Sequence, residues 1–183
     1  MSSGTMGADW RRLTCSDMAL PKDAELLGAN NQALEIRGAG AHTIVKLTPD
    51  AQRKLALGLA HASAETSPLR VYLMLENIRG TRDATVLSPY INLPEDARPG
   101  DHRNLLAGGV GLYGLTMAST PGNENGGHGL SFILDITRIL IELVATKSLE
   151  TGEIRVSIIP NRQLPDSTDI VIGRVSIFTM SPS

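Results

Sequence analysis

Along residues 41–48 apolar and polar positions alternate. Ala41, Thr43, Val45 and Leu47 fall on one face and His42, Ile44, Lys46 and Thr48 on the other, the two-residue period of a half-buried strand. Residues 33–36 form a shorter run of the same kind, closed by the turn Gly38-Ala39-Gly40. Further strands are predicted over 69–78 (Val71, Leu73 and Leu75 inward), 84–93, 152–160 (Ile154, Val156 and Ile158) and 170–180 (Val171, Val175 and Ile177). The glycine-containing turn 79–83 predicts that 84–93 folds back on 69–78 as a hairpin. Pro89 then requires an edge position or a bulge, which leaves homo-oligomerisation through that edge open.

Residues 108–147 read as a glycine-studded strand, a polar loop, a second strand and a helix. Ile136, Ile139, Leu140, Leu143 and Val144 keep the spacing of a single apolar helical stripe, behind Asp135 as N-cap and beside the exposed pair Arg138 and Glu142. Residues 51–61 fit either a short helix built on Leu55, Leu57 and Leu59 or an irregular crossover. Seven or eight strands with one packed helix predict a mainly β fold, an antiparallel β-sandwich over residues 27–183. Residues 1–26 read as an N-terminal tail or linker, because their small and polar start shows no period.

Composition narrows the function classes. The chain has 183 residues, 42% of them hydrophobic and 20% charged, which suffices for a core without staples. A formal charge of -2 with no basic run argues against nucleic acid and against an anionic membrane. The aromatics are few (Trp10, Tyr72, Tyr90, Tyr113, Phe132 and Phe178), so stacking platforms for single strands or sugars are not expected. Cys15 is the single cysteine and has no internal disulfide partner. With neither a secretory signal nor an apolar span of about 20 residues, the expectation is a soluble protein, cytoplasmic by default or placed by a partner.

Gly109-Val110-Gly111-Leu112-Tyr113-Gly114 matches the dinucleotide fingerprint in letters, but that motif needs a following helix whose amides meet a pyrophosphate. The few residues before Pro121 and the Gly/Asn-rich loop behind it predict no such helix, and the glycines are read as room for a neighbouring backbone or ring. His42, His61, His102 and His128 lack metal-ligand spacing, no nucleophile motif occurs, and the carboxylates are scattered over strand ends and loops. No catalytic, cofactor-binding or metal-binding residue is therefore assigned. Of the four histidines His128 is the one most open to a functional role, because the flexible loop 122–129 is able to present it.

Val71-Tyr72-Leu73-Met74-Leu75-Glu76-Asn77-Ile78, Pro89-Tyr90-Ile91-Asn92-Leu93-Pro94, His128-Gly129-Leu130 through Phe132, Asp135-Ile136-Thr137 and Ile154 to Pro160 follow one another in order. Together with Gly173-Arg174-Val175-Ser176-Ile177, this succession resembles the β-rich C-terminal domain of tyrosinases and polyphenol oxidases. The resemblance implies a jelly-roll or cupredoxin-like sandwich that packs over a type-3 copper domain, shields its dicopper entrance and keeps the enzyme latent or assists copper loading. Family catalysis needs six histidines and this chain has four, so the resemblance implies a non-catalytic regulatory domain with no cofactor of its own. The copper would belong to a tyrosinase-like dicopper domain or subunit, its partner. Thiol delivery of copper is not expected, since no Cys-x-x-Cys pair is present. Candidate partner-facing residues are Tyr113, Leu115, Met117, Asn123, Asn125 and His128. The alternative is a free-standing sandwich that binds a small ligand or a protein through residues 101–129.

Overall fold

The structure, a computed structural model, describes residues 24–60, 69–122, 126–149, 152–167 and 169–180. Nine strands among them form two antiparallel sheets. The first sheet runs β1 (Ala24–Asn30), β9 (Ile170–Met180), β4 (Arg70–Arg79) and β7 (Leu130–Asp135), with β2 (Leu34–Ile36) pairing the other end of β9. The second runs β3 (Ala41–Lys46), β8 (Glu153–Pro160), β5 (Val86–Ile91) and β6 (Val110–Gly111). Alternation does what it predicts: Val71, Leu73 and Leu75 from one sheet and Val45, Ile154, Val156 and Ile158 from the other are closed to solvent in a shared core. The antiparallel β-sandwich is borne out.

β1 is not among the strands read from the sequence. Its sequence AELLGAN does not alternate cleanly, because a register shift between Leu26 and Gly28 turns Leu27 into the core. Gly28 lies so close to β3 that a Cβ would stand 2.3 Å from the Lys46 carbonyl oxygen.

The hairpin of residues 69–78 with 84–93 is corrected. β4 is already paired on both edges, by β9 (Leu73 with Ile177) and by β7 (Leu73 with Leu134), so it has no edge left for β5. The chain crosses instead to the other sheet, where β5 pairs β8 and the two-residue β6. Pro89 is accommodated because the Pro89 carbonyl accepts from the Ala107 amide at 2.8 Å beyond the end of β6. The proline nitrogen faces that same side, where no ladder donor is needed.

β9 also departs from simple parity. Ile170, Ile172, Val175 and Ile177 are buried while Val171 is only half-buried, so the inward face changes between Ile172 and Val175. β4 changes face on the same rungs, from Leu75 to Ile78, through Asn77 at φ 54. The two strands shift together, and Gly173 leaves the room this needs: a Cβ there would meet the Asn77 Cβ at 2.9 Å.

Among the described residues three α-helices stand where one was expected. α1 (Pro49–Leu59) settles the ambiguous segment. The Thr48 side chain accepts from the Ala51 amide at 3.2 Å, and Pro49 opens the first turn. Ala51, Leu55 and Leu59 are buried, whereas Leu57 is 83% exposed, because residues two apart point to opposite sides of a helix. α3 (Thr137–Ala145) buries Ile139, Leu140 and Leu143 as its stripe predicts and lies against α1. The Asp135 carboxylate accepts from the Thr137 amide at 2.8 Å, as predicted, from one residue before the N-cap position. The buried Thr137 hydroxyl accepts from the Val71 amide at 2.9 Å and thereby fixes the helix start to β4. The third helix, α2 (Leu115–Ser119), was not predicted.

Candidate functional site

α2 and the segments around it form one end of the sandwich, held by polar contacts between residues distant in sequence. Gly114, at φ 74, is its N-cap and offers no side chain. The Asp83 carboxylate replaces one, accepting from the Thr116 amide at 2.7 Å. The Leu112 amide donates to the Thr85 carbonyl at 2.9 Å, and the Gly80 amide donates to the Ser119 hydroxyl at 3.0 Å. On the other side the Gly129 amide donates to the Ala118 carbonyl at 3.0 Å. Gly129 is required here, with φ 81 and a Cβ position 2.2 Å from the Ile78 carbonyl oxygen.

This geometry also explains the glycine fingerprint. A helix does follow Gly114, contrary to the expectation, but it spans five residues and an early amide is already taken by Asp83. The motif builds a turn, and Gly111 lies in ordinary contact range of the Tyr113 ring, 3.6 Å from a notional Cβ.

The sequence candidates separate by burial. Tyr113 is 82% and Met117 68% exposed, while His128 is exposed in the approach to β7. Leu115 is corrected: its side chain is fully closed in the core, where it anchors α2 and cannot face a partner. Asn123 and Asn125 lie outside the described residues. Asp83, Ser119 and Gly129 were missed as determinants of this end, since their partners are 33 or more residues away or are backbone atoms that no local pattern reveals.

A second clamp lies beside it. The Thr81 hydroxyl donates to the Asp169 carboxylate at 2.8 Å. Burial pushes this carboxyl up, but hydrogen bonds from the Thr81 hydroxyl and from amides, with the Arg82 charge, outweigh it and hold the group below its ordinary value.

Among the described residues no group of three His, Cys, Asp or Glu side chains is placed to hold a metal. His42 lies on β3, His102 in the 98–106 segment and His128 in the loop before β7, so these residues do not fit a dicopper centre. His61 and Cys15 lie outside the described residues. A largely apolar cavity of about 380 Å³ opens between α1 and α3, lined by Leu47, Leu55, Ala56, Val144 and Leu149 with Gln52, Arg53 and Lys147. No helix among the described residues is long and apolar enough to cross a membrane.

A family model described as a domain of unknown function (DUF7868) matches residues 23–180. The chain is 28% identical over 153 residues to tyrosinase HcTyr1 of Hahella sp. (strain CCB-MM4), covering 84% of this chain and 32% of that protein. It thus spans about a third of the length of this curated relative. Two solved structures share 16% identity over 84% of the chain. They are a recombinantly expressed latent aurone synthase (polyphenol oxidase), at TM-score 0.47 over 25% of its length, and latent apple tyrosinase, at TM-score 0.43 over 27%. The relation to tyrosinases expected from the sequence is borne out by the curated relative.

Proposed function

The chain belongs to the DUF7868 family, and from that premise we propose that it is a non-catalytic accessory domain of a tyrosinase-like type-3 copper oxidase. In this reading it docks by its α2 end on the dicopper domain and restricts substrate entry. One observation carries the reading: Tyr113, in the turn before α2, and Met117, on α2, are largely exposed, and the helix is fixed to the segments that follow β4 and precede β7 by the Asp83, Ser119 and Ala118 bonds. A surface of this kind presents apolar side chains without the ordering cost of a free loop. The tyrosinase relative, of which this chain matches about a third, supplies the partner class. Copper belongs to that partner, because the described histidines are spread over separate elements here.

The chemistry asked of this chain is steric. A tyrosine ring and a methionine laid over a pocket mouth exclude a phenol of similar shape until the domain shifts or is removed. Mixing the purified chain with a matching dicopper domain and following phenol oxidation tests this. The expected result is complex formation with a lowered rate, and recovery of the rate with Tyr113→Ala combined with Met117→Lys. If the two proteins neither associate nor alter activity or copper retention, the accessory reading is abandoned.

A second reading, a small-ligand module, draws its support from the cavity between α1 and α3. Stabilisation of the isolated chain by small apolar carboxylates, lost in Ala56→Trp, would favour it over docking.

A further inference from the structure

The two sheets are seamed along one side of the sandwich and not along the other. Where β1 runs beside β3, the Thr48 amide donates to the Leu27 carbonyl at 3.3 Å, the Asn30 side-chain amide donates to the Ile44 carbonyl at 3.1 Å, and Gly28 bridges Leu47. On the opposite side β7 and β6 end their sheets, and among the described residues no backbone hydrogen bond joins them. The edge expected at Pro89 is taken, because β5 lies between β8 and β6. The longer open edge is β7.

The pairing of β7 with β4 fixes which of its groups turn outward. The Ile136 amide donates to the Val71 carbonyl at 2.9 Å, so that rung is a hydrogen-bonded one. Alternation along the antiparallel ladder then directs the amides and carbonyls of Leu134 and Phe132 at β4, and those of Asp135, Ile133 and Ser131 away from it. Among the described residues no backbone group meets these three from the far side. Edge strands are ordinarily blunted by lysine or proline, yet the strand reads LSFILD and its single charge stands at the end, on Asp135. Ile133 is 41% exposed, and Phe132 and Leu134 stay half-buried although Leu75 and Leu73 on the same rungs are closed to solvent.

We infer that β7 is a homodimer interface, in which it pairs antiparallel with β7 of a second copy about a two-fold axis at Ile133. The strand selects this occupant because it complements itself. Ile133 faces Ile133 of the partner subunit on the outer side of the sheet, and Phe132 faces Leu134 of the partner subunit on the core side, apolar against apolar. Ser131 faces Asp135 of the partner subunit, so a hydroxyl meets each carboxylate. An axis at Asp135 would instead set two carboxylates against each other. The outward amides and carbonyls of Ser131, Ile133 and Asp135 all find complements in this register, and the two five-stranded sheets become one. The inference rests on this strand alone and is independent of the accessory reading.

Sedimentation of the full chain over a range of concentrations tests it. The expected result is a dimer that dissociates on dilution, with the Ile133 and Asp135 amides exchanging slowly in the dimer and faster in the dilute sample. Ile133→Lys changes a half-open position and sets two ammonium groups face to face; it should weaken the dimer roughly tenfold or more with far-UV circular dichroism unchanged. The register has its own variants. Ser131→Lys, brought opposite Asp135, should tighten the dimer several-fold, and Ser131→Asp should loosen it. A monomeric mass at every concentration rejects the interface, and slow exchange at Ile133 in that monomer would assign the edge to another part of the chain. A dimer indifferent to Ile133→Lys and to both Ser131 variants is built elsewhere on the molecule and rejects it equally.

Discussion

The sandwich interior and the α2 end are held by different means. In the interior, Val71, Leu73, Ile154, Val156 and Ile177 act through area and fit alone, and any of several apolar side chains of the right size would serve. At the α2 end the positions are fixed by particular atoms: the Asp83 carboxylate on the Thr116 amide, the Ser119 hydroxyl on the Gly80 amide, and the missing Cβ of Gly129. The first region spreads its stability over many weak contacts, whereas the second concentrates its geometry in a few. Substitutions should therefore cost free energy in the interior and local order at the end.

The strongest test of this contrast is Leu73→Ala, at a position fully buried between β9 and β7, which should lower unfolding free energy by about 2–5 kcal/mol in urea titration. A loss near zero would mean that the core is not organised as described. Gly129→Ala sharpens the difference, because it adds one methyl group yet meets the Ile78 carbonyl and an unfavourable φ. A cost on the order of 2–3 kcal/mol is expected, with hydrogen exchange accelerated around α2 and the start of β7 before the rest of the sheet. If exchange rose uniformly, the α2 end would be no separate unit.

Asp83→Ala removes the side chain that accepts from the Thr116 amide at the start of α2 and should cost about 1 kcal/mol, read as faster exchange at Thr116 with the interior amides unchanged. The smallest effect concerns pH. Because the folded Asp169 carboxyl is held below its ordinary value, its contribution is present above the unfolded pKa and fades as pH falls through the folded one. Thr81→Val should narrow the stability gap between neutral and acid pH, measured by paired urea midpoints; an unchanged gap would show that Thr81 does not set this titration.

The same contrast decides what was legible in the sequence. Alternation in β3, β4 and β8 and the stripe of α3 follow from local periods, and each stands where the pattern puts it. The features that escaped did so for physical reasons. The bulge beside Leu27 and the joint change of face at Asn77 and Gly173 break parity, so β1 was missed and Val171 was assigned to the wrong face. A helix of five residues is too short to show a period, which hid α2. Leu115 looks like its exposed neighbours in the sequence, and only the turn at Gly114 and the anchoring of α2 direct it inward while Met117 points out. The hairpin failed because turn chemistry at 79–83 says where the chain bends but not which sheet it joins next.

The position of β9 has a consequence for biosynthesis. The C-terminal strand lies between β1 and β4, so the N-terminal strand of its sheet has no ladder partner there until residues 170–180 are available. Everything from β1 to residue 170 is therefore made before this sheet can close, with the facing edges of β1 and β4 held in reserve for β9. Such non-local closure favours slow folding and an interval of dependence on chaperones. Loss of residues 170–180 would then remove a central strand of the sheet and leave β1 without its ladder partner.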